Sequence, residues 1–113
     1  MTKYLISFPG SAMQLDQSEF EAAGRDAHAV IQQMKDAGVY VFGGGIDEDV
    51  ASVMVAADGS TTDETYPQTT EFDGGFCVIE AATREEALLW AAKTAAACRC
   101  SQELRQFMYD PES

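Results

Sequence analysis

The chain has 113 residues, 46% of them hydrophobic, and a formal net charge of −12 from 19 acidic and 7 basic residues. That length fits one domain, residues 1–113, with room for only a modest core. The charge argues against nucleic acid, whose phosphates call for clustered Lys and Arg, and against anionic membrane surfaces.

The opening MTKYLISFPGSAMQL carries one Lys and an apolar run too short for a signal-peptide core, and nothing resembles a spanning helix, so a cytoplasmic location is expected. Lys3 to Phe8 alternates, Tyr4, Ile6 and Phe8 against Leu5 and Ser7, and reads as a first strand ended by Pro9-Gly10-Ser11. Asp16 followed by Glu19 resembles a capping box. From there Phe20, Ala23, Ala27, Val30, Ile31 and Met34 recur at three- and four-residue steps, which predicts a long amphipathic helix capped by Gly38. Val39 to Phe42 is a short strand-like run that stops at Gly43-Gly44-Gly45.

Beyond the acidic turn Asp47-Glu48-Asp49, Val50 to Ala57 reads as another strand, closed by Asp58-Gly59. The polar segment from Asp58 to Phe76 is long for a connection in a small domain, and such connections are usually functional or disordered. Phe76 to Ala81 is a strand entered through Gly74-Gly75, and Thr83 with Glu86 caps a second helix running to about Ala97. Gln102 to Met108 reads as the last strand, with Pro111 in a frayed tail. Cys77, Cys98 and Cys100 are odd in number, and Cys98-Arg99-Cys100 lacks the C-x-x-C spacing of zinc and redox motifs. Free thiols packed as small apolar residues are expected.

The order β-α-β-β-(long loop)-β-α-β predicts an α+β, ferredoxin-like domain with both helices on one face of an antiparallel sheet. The strands offer apolar residues on both sides: Tyr4 and Ile6 against Leu5, Val39 and Val41 against Tyr40 and Phe42, Val53 and Val55 against Met54. A solvated second face would alternate apolar with polar. The second face is therefore expected to be covered by a second copy of the chain, as a homodimer joined sheet to sheet.

These residues resemble a known family. Asp63 to Phe76, DETYPQTTEFDGGF, is similar to the D-G-P-F-A-E-T-K-E-x-L-G-G-Y/F segment of YCII-related proteins of the DGPF type, with Asp63, Thr69, Glu71, Gly74, Gly75 and Phe76 matching. Glu64-Thr65-Tyr66 stands in place of the Gly-Pro-Phe. Glu85 to Ala92 resembles the family's second helix, D-E-A-L-x-W-A, and Glu103-Leu104-Arg105 its E-V-R-P close, with Gln106 in place of the proline. His28, Gly38 and Gly43-Gly44-Gly45 resemble its H-x-x-L, A-G-V-L and G-G-L elements. The resemblance implies a dimeric α/β-barrel. It also implies either of two functions. One is a cofactor-independent acid–base or hydrolytic enzyme on a small organic molecule, as in a relative that dehydrochlorinates a chlorinated aromatic. The other is a non-enzymatic binding or regulatory module, of the type encoded with alternative sigma factors, where the acidic charge would suit a basic protein partner.

His28, the only histidine, falls at the border of the first helix's apolar stripe, in line with Glu21, Arg25 and Gln32. A general base belongs where an apolar pocket meets polar groups, and an unperturbed imidazole titrates near neutrality. Asp63, Asp47 and Asp49 are the carboxylates that could orient it; Asp63 carries the family match. Thr69, Glu71 and Arg105 are candidate ligand-binding residues, Arg105 offering a carboxylate-binding fork. Asp63 and Thr69 serve equally as loop-ordering groups. Asp47-Glu48-Asp49 lacks the spacing of a calcium loop and Gly43-Gly44-Gly45 that of a phosphate loop, so neither a metal nor a cofactor is expected.

Overall fold

The computed structural model describes Met1–Ser113. Two side chains decide where its helices begin. Asp16 accepts a hydrogen bond from Glu19 N at 2.8 Å, which opens α1 (Gln17–Asp36). Thr83 Oγ1 accepts from Glu86 N at 3.1 Å and opens α2 (Arg84–Cys98). The Glu86 carboxylate reaches back one residue beyond the cap to accept from Ala82 N at 3.2 Å. Gly38 follows α1 at φ +75°, as the sequence predicts, whereas α2 ends on a left-handed Arg99.

The strands are β1 (Thr2–Phe8), β2 (Tyr40–Gly45), β3 (Met54–Val55), β4 (Thr61–Thr62), β5 (Gly75–Ala81) and β6 (Glu103–Gln106). Four of them form an antiparallel sheet in the order β2-β5-β1-β6, the ferredoxin-like arrangement. Tyr4, Ile6, Ile79 and Ala81 point toward the helices and build the core with Met34, Val39, Ala87 and Ala91. The register puts Leu5, Val78 and Arg105 together on the other face, with Ser7, Phe76 and Glu103 beside them. Only 12 of the 113 residues are buried, so the core is one-sided. The radius of gyration is 15.6 Å, against about 13 Å for a compact chain of this length.

Several expectations change. β2 does not stop at the glycines: Gly43, Gly44 and Gly45 pair with Cys77, Phe76 and Gly75. Glycine weakens a strand by entropy, and the ladder of hydrogen bonds to β5 outweighs that. Tyr40 and Phe42 do not share a side. Tyr40 pairs with Ile79 and Phe42 with Val78, so β2 carries an extra residue at Val41. This bulge reverses the alternation: Tyr40, Gly43 and Gly45 face the helices while Phe42 joins the open face.

The strand expected from Val50 to Ala57 shrinks to Met54–Val55, which pairs only with Thr61–Thr62. The Asp58-Gly59 turn folds the segment back on itself, with Ala56 N donating to Ser60 O and Gly59 N to Ala56 O. β5 already has β2 and β1 as neighbours, so no place beside it remains. The polar segment is thus half hairpin and half loop. The last strand is likewise shorter than Gln102 to Met108: Phe107 keeps one bond, its N to Lys3 O, and Met108 and Tyr109 are 92% and 88% exposed.

Candidate functional site

Small residues on facing elements leave a cavity of about 690 Å³ between α1 and the sheet. Gly24 and Ala27 line it from the helix, and Gly43, Gly44 and Gly45 from β2. With little or no side chain at these five positions, the space between them stays open. The bulge at Val41 makes this possible, because an unbroken alternation would turn Phe42 toward the helix. Ile6, Phe8, Val30, Met34 and Cys77 supply an apolar lining, while Asp47, Glu48 and Asp49 carry the polar edge. Its size falls in the range of small-molecule sites, which is roughly 300–1,000 Å³.

His28 lines this cavity and is solvent-exposed. No carboxylate forms an ion pair with it; the three ion pairs are Lys3–Glu80, Arg99–Asp26 and Arg105–Glu103. Asp47 and Asp49 line the same cavity, but Asp63 does not. Asp63 stands exposed just beyond β4 and lines neither principal cavity. The histidine and Asp63 are therefore not brought together within one chain.

Thr69, Glu71 and Arg105 are brought together, but on the opposite face of the sheet. They border a second hollow of about 390 Å³ with Leu5, Ser7 and Phe76. Arg105 is engaged by Glu103 at 3.1 Å, and Thr69 Oγ1 makes a long contact of 3.4 Å to Tyr66 O within its own turn. Strand parity separates Arg105 from His28, and parity cannot be read without the register; Thr69 and Glu71 reach the same hollow from the loop before β5.

Sequence reasoning marked the Asp58-Gly59 turn and the Gly74-Gly75 entry but missed Asp73, which holds the long segment's exit in place. Asp73 Oδ1 accepts from Gly10 N at 2.9 Å, tying the segment's exit to the bend after β1. Gly74, at φ +81°, presses against the same bend, and Ile46 N donates to its carbonyl at 2.9 Å. Asp58 accepts from Ser60 Oγ at 2.7 Å and Ser60 N at 2.9 Å, which holds its carboxyl below the usual range. The signal available was D-G in both cases, an aspartate before a glycine that needs positive φ.

Two thiols line the cavity, Cys77 and Cys98, and burial makes both poorly suited to attack. Burial pushes Cys77 up to about 11, and its Sγ rests 3.8 Å from Met34 Sδ. Cys77, Cys98 and Cys100 are all free. Because the Cys77 shift is upward, the folded state gains from it below the ordinary thiol value of 9.0. That gain is lost as pH rises from there through about 11. Native Cys77 should accordingly react with iodoacetamide far more slowly than unfolded chain at mildly alkaline pH, read by mass spectrometry of peptides; equal rates would refute the buried thiol.

The YCII-related domain pattern matches residues 3–105. This chain belongs to the YCII-related family. No curated protein matches it. The match spans every strand of this YCII-related sheet and both helices, from Lys3 in β1 to Arg105 in β6. No helix of the YCII-related chain is long and apolar enough to cross a membrane.

Proposed function

We propose that the protein is a DGPF-type member of the YCII-related family that works in the cytoplasm as a homodimer and binds a small organic molecule in the cavity beside α1. The cavity carries this reading: about 690 Å³, floored by apolar side chains and rimmed by polar ones, with glycines where side chains would otherwise fill it. The open sheet face supports the dimer. Phe42 is 66% exposed there, beside half-buried Leu5, Phe76 and Val78. Two such faces packed together would supply the second side of a one-sided core.

Filling the cavity tests the binding function. Compounds found in a fragment screen by ligand-observed NMR should lose affinity for Ala27→Trp by at least about tenfold, since the indole would occupy their space. Gly24→Leu provides a second blocked form should the first fold poorly. Hits that bind both variants as they bind the native protein would place the ligand elsewhere.

A catalytic role for His28 is the second reading, and its place on the cavity lining favours it. The imidazole would act as general base, with Asp47 or Asp49 as the orienting carboxylate from the same lining and Asp63 as a contribution from the second copy. In that case His28→Gln should slow turnover of a bound compound by about 100-fold or more while changing its affinity little. Turnover unaffected by His28→Gln would remove this reading and leave binding alone.

A further inference from the structure

The cavity beside α1 has a charge pattern that narrows what it takes. None of the seven Lys and Arg side chains lines it. Lys3, Arg99 and Arg105 are held in ion pairs elsewhere, and Lys35 and Lys93 lie over the rings of Tyr40 and Trp90. The lining charges that remain are Asp47, Glu48 and Asp49.

Glu48 is turned in over the backbone of Gly10. A Cβ placed on Gly10 would lie 2.5 Å from Glu48 Oε1 and 3.6 Å from Asp73 Oδ1. Glu48 belongs to the cavity's lining and Asp73 to that of the second hollow, and neither has an ion-pair partner. Like charges gathered without a cation repel, and the net charge of −12 adds to the negative potential of the cleft. No group of three or more His, Cys, Asp or Glu side chains is placed to hold a metal ion. An inorganic ion would also leave the apolar floor of Ile6, Val30 and Met34 unused.

We propose that the cavity selects an organic cation: an apolar body, aromatic or alkyl, carrying a protonated amine. The body covers the apolar floor, and the ammonium donates to Glu48 and the neighbouring rim carboxylates Asp47 and Asp49, its three N–H groups suiting several carboxylate oxygens at once. Carboxylates and phosphates of the same shape are rejected, because no positive side chain meets them and the rim repels them. This rests on the reading of the cavity as the ligand site.

Three probes of matched shape separate the two claims: phenethylamine, phenethyl alcohol and phenylpropionate, each titrated into labelled protein and followed by amide shifts. The amine should bind about fivefold to tenfold more tightly than the alcohol, the difference between a charged and a neutral hydrogen bond. It should shift the amides of Ala27 and Gly43 to Gly45, with phenylpropionate weakest. Added salt and Glu48→Gln should each shrink the preference for amine over alcohol. Alcohol binding in the cavity as tightly as amine would overturn the cation preference and leave the cavity reading intact. Amine shifts confined to surface acidic residues would overturn it as well. If none of the three shifts the cavity amides, the reading of the cavity itself fails.

Discussion

Gly74→Ala is expected to destabilise the chain by about 2–5 kcal/mol, measured by urea unfolding. Two effects add. The residue sits at φ +81°, where a side chain costs about 1–2 kcal/mol. Its Cβ would also fall 2.7 Å from Gly10 N and 2.8 Å from Pro9 C, and closer still to the Phe8 carbonyl oxygen. All three are backbone atoms, fixed by β1 and by the bond from Gly10 N to Asp73, so neither side can give way. Gly24→Ala is the matched control. It lies within α1 with nothing within 4 Å of an added Cβ, and should stabilise by about 0.5–1 kcal/mol through helix propensity. Equal and small effects at both positions would mean that the Asp73-Gly74 junction is not packed against the bend.

Phe42→Asp should convert a dimer into a monomer. Native protein should scatter light as twice its 12.2 kDa at micromolar concentration, and the variant as a single chain. A central aromatic anchor typically contributes about 2–4 kcal/mol to an interface, a weakening of roughly 30- to 1,000-fold, and a buried unpaired carboxylate adds to that. The monomer fold should survive, because Phe42 is 66% exposed in the single chain and takes no part in the core. Native protein running as a monomer would contradict the sheet-to-sheet assembly; a dimer that persists in the variant would move the interface off this face.

The helices were the most legible part of the chain. Asp16 and Thr83 declare their starts by local chemistry, and the three- and four-residue apolar spacing of α1 does not depend on partners. The ferredoxin-like order of the main sheet followed from alternation and from the chirality of crossovers. β2 was misjudged because its pairing through Gly43 to Gly45 is enforced by β5, a neighbour about 30 residues away that no local signal announces. The run from Val50 to Ala57 has strand propensity, but β5 is flanked on both sides and Asp58-Gly59 turns the run onto its own continuation.

The candidate site was half legible. Helical spacing put His28 at the edge of the apolar stripe, and it does line the cavity. The position of Arg105 across the sheet depended on register and that of Thr69 and Glu71 on the path of their loop, and the inward turn of Glu48 over Gly10 depends on a bend after β1. Neither leaves a local mark in the chain.

The extra residue at Val41 makes β2 a shared wall. One side of that strand offers Gly43 and Gly45 to the cavity; the other offers Phe42 to the open face, and only one layer of backbone lies between them. A ligand seated against the glycines and a second copy seated against Phe42 would then press on the same peptide groups. Any displacement of β2 by one would be felt by the other, and the influence would be reciprocal: the factor by which ligand tightens or loosens self-association is the factor by which self-association changes ligand affinity. In a dimer that binds a ligand there, a single inserted residue would tie occupancy to subunit assembly.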